Sequence, residues 1–321
     1  MTMGVRIIYI LIIFSWFTAC SRTETEENNT FIPTEATSRN VVFLTENKIQ
    51  QTISVFRQVD SGFVFIKTIP VTSNRTDTQL PIGNYQFLFA SSYGDHTEMN
   101  IPIPGSTLFP EMKFSVLPDE SNPTYTHEGD ELFLQEGKVD SIYVINNSTT
   151  IHATLKRAVA QVIIHVNRGW HTGDGQYTSL PYQNDSIIRY FSQICLNIEN
   201  IGTAVDAHGT SEGQGMLTVA IPAEARDHIT GEGFAVYTGP FFFPAANGET
   251  VLLKLSLYRN EDSPQPNLSL TKQATVKRNE QLILTAWITS DWNIIDVTAD
   301  TKTISCENEG EQGTWDDHIT F

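Results

Sequence analysis

The sequence predicts an all-β protein made of two Greek-key β-sandwiches in tandem behind a lipoprotein signal peptide. Three observations support this fold class. Apolar runs after residue 41 are short and are interrupted by Gly, Pro, Asn, Asp or Ser clusters, a spacing typical of all-β chains. Several runs alternate apolar and polar residues, as a strand with one buried face requires. Helical periodicity is scarce, and only residues 184–191 suggest one or two helical turns.

The chain begins with the pattern of a secretory signal. Arg6 precedes the run from Ile7 to Phe17, which is apolar apart from Ser15. This run is too short to cross a hydrocarbon core as a helix, because that takes about 20 residues. A short basic region before a short apolar region is typical of a signal peptide. We therefore assign residues 1–19 to a signal peptide.

The signal ends in Phe17-Thr18-Ala19-Cys20, which matches the bacterial lipoprotein box except that Phe17 replaces the more usual Leu. In such a box the cysteine is acylated and becomes the first residue of the mature protein. Two or three acyl chains anchor a protein stably, so lipid on Cys20 is expected to hold this chain on a membrane. The alternative is a plain secretory signal followed by an incidental cysteine.

The segment after the cysteine is predicted to be a lipidated flexible tether over residues 20–39. It is rich in Thr, Glu and Asn and cannot bury enough apolar surface to order itself. Its early acids, Glu24, Glu26 and Glu27, resemble the acidic signal behind the cysteine of surface-exposed Bacteroidota lipoproteins. A linker without such a signal is the alternative.

Residues 40–157 are predicted to form the N-terminal β-sandwich. Clusters such as Asp60-Ser61-Gly62 and the loop Pro118–Pro123 separate its apolar runs, as turns and loops do. The predicted strands lie near Val41–Leu44, Thr52–Arg57, Phe63–Ile69, Tyr85–Ala90, Leu132–Leu134, Ser141–Ile145 and Ile151–Lys156.

Residues 158–321 are predicted to form the C-terminal β-sandwich, with a tail over about 291–321. Alternation is clearest here, and the junction around Lys156–Val159 leaves almost no linker, which implies fixed packing of the two sandwiches. Within the tail, Ile294–Val297 and His318–Phe321 each suit a donor strand or a closing strand. The predicted strands start at Ala160, Ile194, Met216, Phe234, Val251 and Leu282.

The charge balance limits the partners. The 321 residues include 20 Lys+Arg and 37 Asp+Glu, so the formal net charge is −17. Nucleic acid is excluded as a partner because its phosphates attract Lys and Arg. Beyond Cys20 the chain has Cys195 and Cys306, and their spacing leaves open whether they pair, although the apolar run around Cys195 suits a buried thiol.

The sequence predicts no catalytic residue, no metal site and no cofactor. Ser211 lies in a Gly-x-Ser-x-Gly match, but a serine nucleophile of this type needs a strand before it and a helix after it. His165 and His171 have no Cys or His partners at metal-ligand spacing. Paired carboxylates for glycoside hydrolysis depend on three-dimensional spacing, and no pair stands out. The protein is therefore not expected to be an enzyme.

Three motifs resemble the Bacteroidales fimbrillin superfamily, the type V pilus proteins. Leu80–Phe87 is similar to the family's Pro-x-Gly-x-Tyr-x-Phe signature, with Pro81 and Gly83 in a turn. Leu155–Val162 is similar to the Leu-x-Arg-x-x-x-x-Val stretch that leads into the second domain. Lys277–Leu282 is similar to the Arg-Asn entry to a late strand. The three motifs are short, but they follow in order behind a lipoprotein box.

The resemblance implies two transthyretin-like sandwiches and an anchor or minor subunit of a cell-adhesion fimbria. Such subunits reach the surface of the outer membrane as lipoproteins, so the lipid on Cys20 would attach this chain there. Stalk subunits lose an N-terminal strand to an Arg-specific protease, and a neighbouring subunit fills the groove by strand complementation. Anchor subunits keep their lipid.

Two arginines are candidates for proteolytic processing under this resemblance. Arg39, expected just before the first strand, suits removal of the tether, and Arg57 suits removal of a strand. Both also suit ordinary surface positions. Whether the chain is an anchor, stalk or tip subunit, and which glycan or host ligand it meets, stays open.

A second hypothesis is a surface glycan-binding lipoprotein of a polysaccharide-uptake system. It requires exposed aromatic side chains that cluster on one face. The candidates are Trp170, Trp292 and Trp315, whereas Trp287, in the middle of a predicted strand, suits packing better.

Overall fold

The computed structural model describes residues 38–304 apart from 46–50, 61, 72, 119–128, 136–140, 146–147, 172–176, 180–190, 222–228, 231–233, 261–263 and 289–293. The predicted signal peptide, Cys20, residues 184–190 of the predicted helical turns, and Cys306 lie outside these residues. The described part consists of strands joined by turns, with 3₁₀ turns at Phe109–Glu111 and Ala246–Gly248. The all-β class is therefore confirmed.

The described residues before 158 contain eleven strands. Nine of them form a three-stranded sheet in the order β10-β1-β4 and a second sheet in the order β11-β8-β5-β2-β3, with β9 added beside β5. The strands are β1 (Ser38–Thr45), β2 (Gln51–Val59), β3 (Gly62–Val71), β4 (Arg75–Pro81), β5 (Gly83–Tyr93), β6 (Thr97–Met99), β7 (Lys113–Val116), β8 (Glu131–Gln135), β9 (Ile142–Val144), β10 (Ser148–Ala153) and β11 (Leu155–Arg157).

The described residues from 158 onward contain twelve strands. Ten of them form one sheet in the order β18-β19-β12-β22-β23, with β13 beside β12, and another in the order β17-β14-β20-β21. The strands are β12 (Ala160–His171), β13 (Tyr177–Ser179), β14 (Gln193–Ile201), β15 (Ala204–Asp206), β16 (Ser211–Glu212), β17 (Gly215–Ala220), β18 (Ile229–Thr230), β19 (Phe234–Phe242), β20 (Val251–Tyr258), β21 (Leu268–Ala274), β22 (Glu280–Ile288) and β23 (Ile294–Thr303).

The two strand sets repeat one pairing scheme. β1 lies between antiparallel β4 and parallel β10, and β12 lies between antiparallel β19 and parallel β22. The opposing sheets run β3-β2-β5-β8 and β17-β14-β20-β21. In the second set the sheet of β12 is longer at both ends, because β18 pairs with β19 and β23 pairs with the outer edge of β22.

The sheet that contains β5 is buried on both faces. Tyr85, Phe87 and Phe89 pack into a core shared with the sheet of β1, while Leu88 and Ala90 pack into a second core. This explains why Tyr85–Ala90 is apolar almost throughout, as strands covered on both sides are. The core of the second set lies between its own two sheets and contains Val162, Ile164, Leu282 and Leu284, among others.

A sheet in the order β16-β15-β7-β6 joins the two sets. Ala204 pairs with Ser115, and Lys113 Nζ lies 2.5 Å from Glu212 Oε2. Val205 and Phe243 share the second core with Phe56 and other residues of the first set. The sets therefore meet through a continuous ladder and a shared core.

The structure corrects several details of the predicted strands. Ile151–Lys156 was expected as one strand, but the chain leaves β10 after Ala153 and joins the other sheet as β11. β4 was not predicted, because its Arg75, Asp77 and Gln79 side chains are exposed and only Leu80 is fully buried. Ile294–Val297 lies within β23 and closes the sheet of β22. The division at residues 157 and 158 stays a prediction.

Candidate functional site

The first strand is the centre of the candidate site. β1 pairs with β10 from Asn40 to Thr45 and with β4 from Ser38 to Leu44. It is the central strand of its three-stranded sheet and the first strand of the described chain. Without β1, the facing edges of β4 and β10 would have no partner, and unpaired edges are templates for another strand.

The side chains of β1 form part of the core between the two sheets. Val41 and Phe43 are 0% exposed. The Phe43 ring lies edge-on to Phe87 and Phe89, with centroids 5.1 and 5.7 Å away. Burying one such side chain contributes about 1.5–3 kcal/mol. Loss of β1 would therefore open an apolar groove lined by Phe87 and Phe89.

Polar contacts fasten the outer face of β1 to β4. Asn40 Nδ2 donates to Asp77 Oδ1 at 3.4 Å, and Gln79 Nε2 donates to Asn40 Oδ1 at the same distance. Arg75 donates to both Asp77 oxygens at 3.0 and 3.1 Å. These hydrogen bonds lower the pKa of Asp77. Because these groups are exposed, they add direction to the pairing more than stability.

The turn between β4 and β5 supports the same end of β1. Ser38 lies opposite Pro81, whose carbonyl accepts a 2.8 Å hydrogen bond from Tyr85 Oη. Burial raises the pKa of Tyr85. Arg57 Nη2 donates to Ile82 O at 3.2 Å. A Cβ on Gly83 would lie 3.2 Å from Arg57 Nε, so the glycine lets the arginine cover the turn closely.

Neither arginine proposed for processing lies in a loop. Arg39 is the second residue of β1, not the residue before it, and its Nε donates to Ile145 O at 3.2 Å. Arg57 lies within β2, which is paired on one side with β3 and on the other with β5. A protease needs an extended, accessible segment, so cleavage at Arg57 would require opening of the five-stranded path. Processing at either residue stays a prediction.

Sequence reasoning missed the partners of β1. The polar strand β4 gave no apolar signal, and no local pattern could show that β10 pairs parallel to β1 across the chain. The buried arginine at the end of β11 was also missed. Arg157 is 8% exposed, pairs with Glu131, and stands over the Phe133 ring at 5.0 Å. Its place in the Leu-x-Arg motif was the available signal.

The candidates for chemistry do not assemble into a site. Ser211 lies in the two-residue strand β16, and the strand β17 follows it. Within the described residues, no group of three or more His, Cys, Asp or Glu side chains is placed to hold a metal ion. His165 is half-buried on β12, and burial lowers its pKa. None of the helical segments in the described part has the length and hydropathy to span a bilayer.

Cys195 is partly buried in β14. Trp287 is partly buried in β22, as expected for a packing residue. Trp170 lies near the end of β12 opposite Thr178, whereas Trp292 and Trp315 fall outside the described residues. The clustering that glycan binding requires therefore stays a prediction.

The repeated pairing scheme and the central position of β1 define a protein of the Greek-key β-sandwich class. More particularly, the family model for the fimbrillin-A associated anchor proteins Mfa1 and Mfa2 matches residues 50–310. The chain belongs to this family, which is one of fimbrial anchor proteins and not of enzymes. The predicted fimbrillin relationship is thereby confirmed.

Solved structures share the fold. The fimbrial anchor protein Mfa2 of Porphyromonas gingivalis is 11% identical, with a TM-score of 0.52 over 84% of this chain and 99% of that one. A predicted polysaccharide-binding protein of Bacteroides thetaiotaomicron is 11% identical, with a TM-score of 0.56 over 84% and 100%. A predicted adhesin of Bacteroides ovatus is 13% identical, with a TM-score of 0.53 over 84% and 96%. No curated protein sequence matched the chain.

Proposed function

We propose that this chain is a fimbrial anchor subunit, held on the outer membrane by lipid on Cys20 and joined to other fimbrial subunits by β-strand exchange. The family supplies the fimbrial role. The observation that carries the proposal is the central position of β1, whose Val41 and Phe43 fill the core between two sheets. A strand in this position can be exchanged as one unit, because it pairs with β4 and β10 along its length and is the first strand of the described chain.

The anchor role, rather than the stalk role, is favoured by where the arginines lie. Cleavage after Arg57 would remove most of β2 as well as β1, and with it the pairing that joins β3 to β5. Cleavage after Arg39 would leave Asn40–Thr45, the part of β1 that pairs with β10, in place. In this proposal neither event leaves a complete acceptor groove, so β1 stays covalently attached in the mature protein. Strand exchange then takes place when β1 leaves its position between β4 and β10 and a strand of a neighbouring subunit binds there.

Membrane attachment would be tested by fractionation of cells that export the native chain. We expect the wild-type protein in the outer-membrane fraction, with an N-terminal peptide that begins at an acylated Cys20. Cys20→Ala should move the protein out of that fraction, while Cys195→Ala, the matched control, should not. Membrane retention of Cys20→Ala, or an unmodified N-terminal peptide, would refute the lipid anchor.

Retention of the first strand would be tested on the same material. Mass spectrometry of the mature protein should find the peptides that contain Arg39 and Phe43 still joined to the N-terminal segment. A mature protein that begins at Asn40 or Gln58 would instead establish processing and refute the anchor role.

A further inference from the structure

The comparison of the two strand sets identifies an uncovered edge. In the second set, β22 has β12 on one side and antiparallel β23 on the other, from Glu280 opposite Thr303 to Ile288 opposite Ile294. β10 holds the same place in the first set, parallel to the central strand β1. Among the described residues, no strand pairs with its other edge. An edge of this kind normally needs a cover or a partner.

The surface beside this edge is apolar where β10 begins. β9 comes directly before β10 in the chain, and its Tyr143 is 58% exposed, while Ile145 just after it is 50% exposed. Large exposed apolar side chains that lie together indicate a binding surface. The two remaining features at this edge are the exposed Thr150 and His152 side chains, which place no carboxylate there to repel an acidic strand.

The described chain ends beside Asn279 and Val159, six residues along the chain from the end of β10. Ile304 N donates to Asn279 O at 2.9 Å, and Asn279 N donates to Val159 O at 2.8 Å. Val159 follows Ala153, the last residue of β10, by only six positions in the chain. Residues 305–321 therefore start near the junction of the two sets, and their fully extended reach is roughly 55 Å. That length exceeds what is needed to cross the junction and follow the six-residue β10.

The direction and the sequence of this segment also fit the edge. A strand that enters beside Ala153 and runs toward Ser148 is antiparallel to β10, as β23 is to β22. Its final residues alternate, with Ile319 and Phe321 separated by polar Thr320. That is the period of a strand with one apolar face. At the Ser148 end, this face would meet Tyr143 and Ile145.

We infer that residues 305–321 bind back on the first strand set and cover the outer edge of β10 by β-strand addition. The segment would pair with the outer edge of β10 as β23 pairs with the outer edge of β22. The C-terminal part of the chain would then cover the outer edge in both strand sets. The proposal concerns a surface separate from the β1 groove, and it holds whether or not Cys20 is acylated.

Hydrogen exchange of β10 amides in the purified mature chain tests the proposal. We expect slow exchange within residues 148–153 in the full chain. Ending the chain at residue 304 should accelerate it on the order of tenfold or more, since the edge becomes open to water. Exchange in β22 serves as the internal reference and should not change. Adding a synthetic peptide of residues 305–321 should restore the slow exchange.

Side-chain variants test whether the apolar face of residues 305–321, and not only the presence of the segment, is needed for slow exchange in β10. The double variant Ile319→Asp with Phe321→Asp should accelerate β10 exchange as truncation does. The matched control, His318→Asp with Thr320→Asp, places two acids on the opposite face and should leave β10 slow. Two results would overturn the inference: exchange of β10 that is equal in the full and truncated chains, or protection that disappears on dilution, which assigns the edge to a second copy.

Discussion

β1 and β12 hold the same position in the two strand sets, between a parallel and an antiparallel neighbour, yet they are embedded differently. β12 is a twelve-residue strand with structure on both sides in the chain, and its parallel neighbour β22 is itself covered by β23. β1 is an eight-residue strand at the start of the described chain, and no described strand covers its parallel neighbour β10. If strand exchange occurs as proposed, β1 is therefore the central strand that detaches and β12 is the one that stays in place.

This difference follows from chain connectivity and not from burial. Val41 in β1 and Val162 in β12 are both 0% exposed, so each contributes a similar transfer free energy. β12 directly follows the described strand β11, whereas β1 is the first strand of the described residues. Under the proposed strand exchange, equal burial is therefore compatible with release of β1 and with retention of β12.

The largest expected difference comes from a carboxylate in the two central strands. Val162→Asp buries an unpaired charge that cannot leave its site, at a cost of about 4 kcal/mol or more, so little folded protein should be recovered. Val41→Asp can escape the cost by releasing β1, and the rest should stay folded. Soluble yield and protease sensitivity of residues 38–45 measure both outcomes. If the two variants failed to the same extent, β1 would be as fixed as β12.

The second prediction concerns Arg157, the last residue of β11 in the first strand set. Arg157→Ala leaves Glu131 without its partner and removes the cation from the Phe133 ring, which should cost about 3–5 kcal/mol. Amide exchange should accelerate in β8 and β11 and stay unchanged in β20 and β21. Lys156→Ala, one position away, should change stability by less than about 1 kcal/mol. Equal acceleration in both sets would show that the arginine stabilises the whole molecule and not the first set.

The smallest effect is that of mild acid. Burial lowers the pKa of His165 below its usual 6.5, so the unfolded chain binds a proton first. The stability of the second set is then fully present above pH 6.5 and falls as the pH drops through the lower folded value. β1 carries no such group, and the lowered pKa of Asp77 delays any loss there until below its usual 3.8.

Amide exchange at pH 7 and pH 5, corrected for the intrinsic rates, measures this difference between β12 and β1. Replacement of the histidine by His165→Gln should abolish the pH effect in β12. An equal loss of protection in β1 and β12, or no loss in β12, would contradict the assignment.

Period-two alternation predicted the strands of the second set well, because its sheets each bury one face. Ala160–Val166 and Val251–Tyr258 show the inward and outward sides directly. In the first set the same criterion was weaker, since β5 is apolar on both faces. That β5 is a strand and not a helix was still predictable from the short length of its apolar run and from the turn at Pro81–Gly83.

Which strands pair with each other could not be predicted from the sequence. Ser115 and Ala204 are partners in the joining sheet, but their strands are short and half-polar and lie far apart in the chain. β4 was missed because a strand that exposes Arg75, Asp77 and Gln79 resembles a loop in composition. The candidate site, which consists of β1 with β4 and β10, therefore required the structure, although β1 alone was predicted.

The most direct test of a detachable first strand is reconstitution. A chain that begins at residue 46 would be mixed with a synthetic peptide of Ser38–Thr45, and binding would be measured by calorimetry. The account predicts a folded chain that binds the peptide at one site, and no binding of a peptide that carries Val41→Asp and Phe43→Asp. A shortened chain that folds but ignores the wild-type peptide, or that cannot fold even with it, would contradict the account.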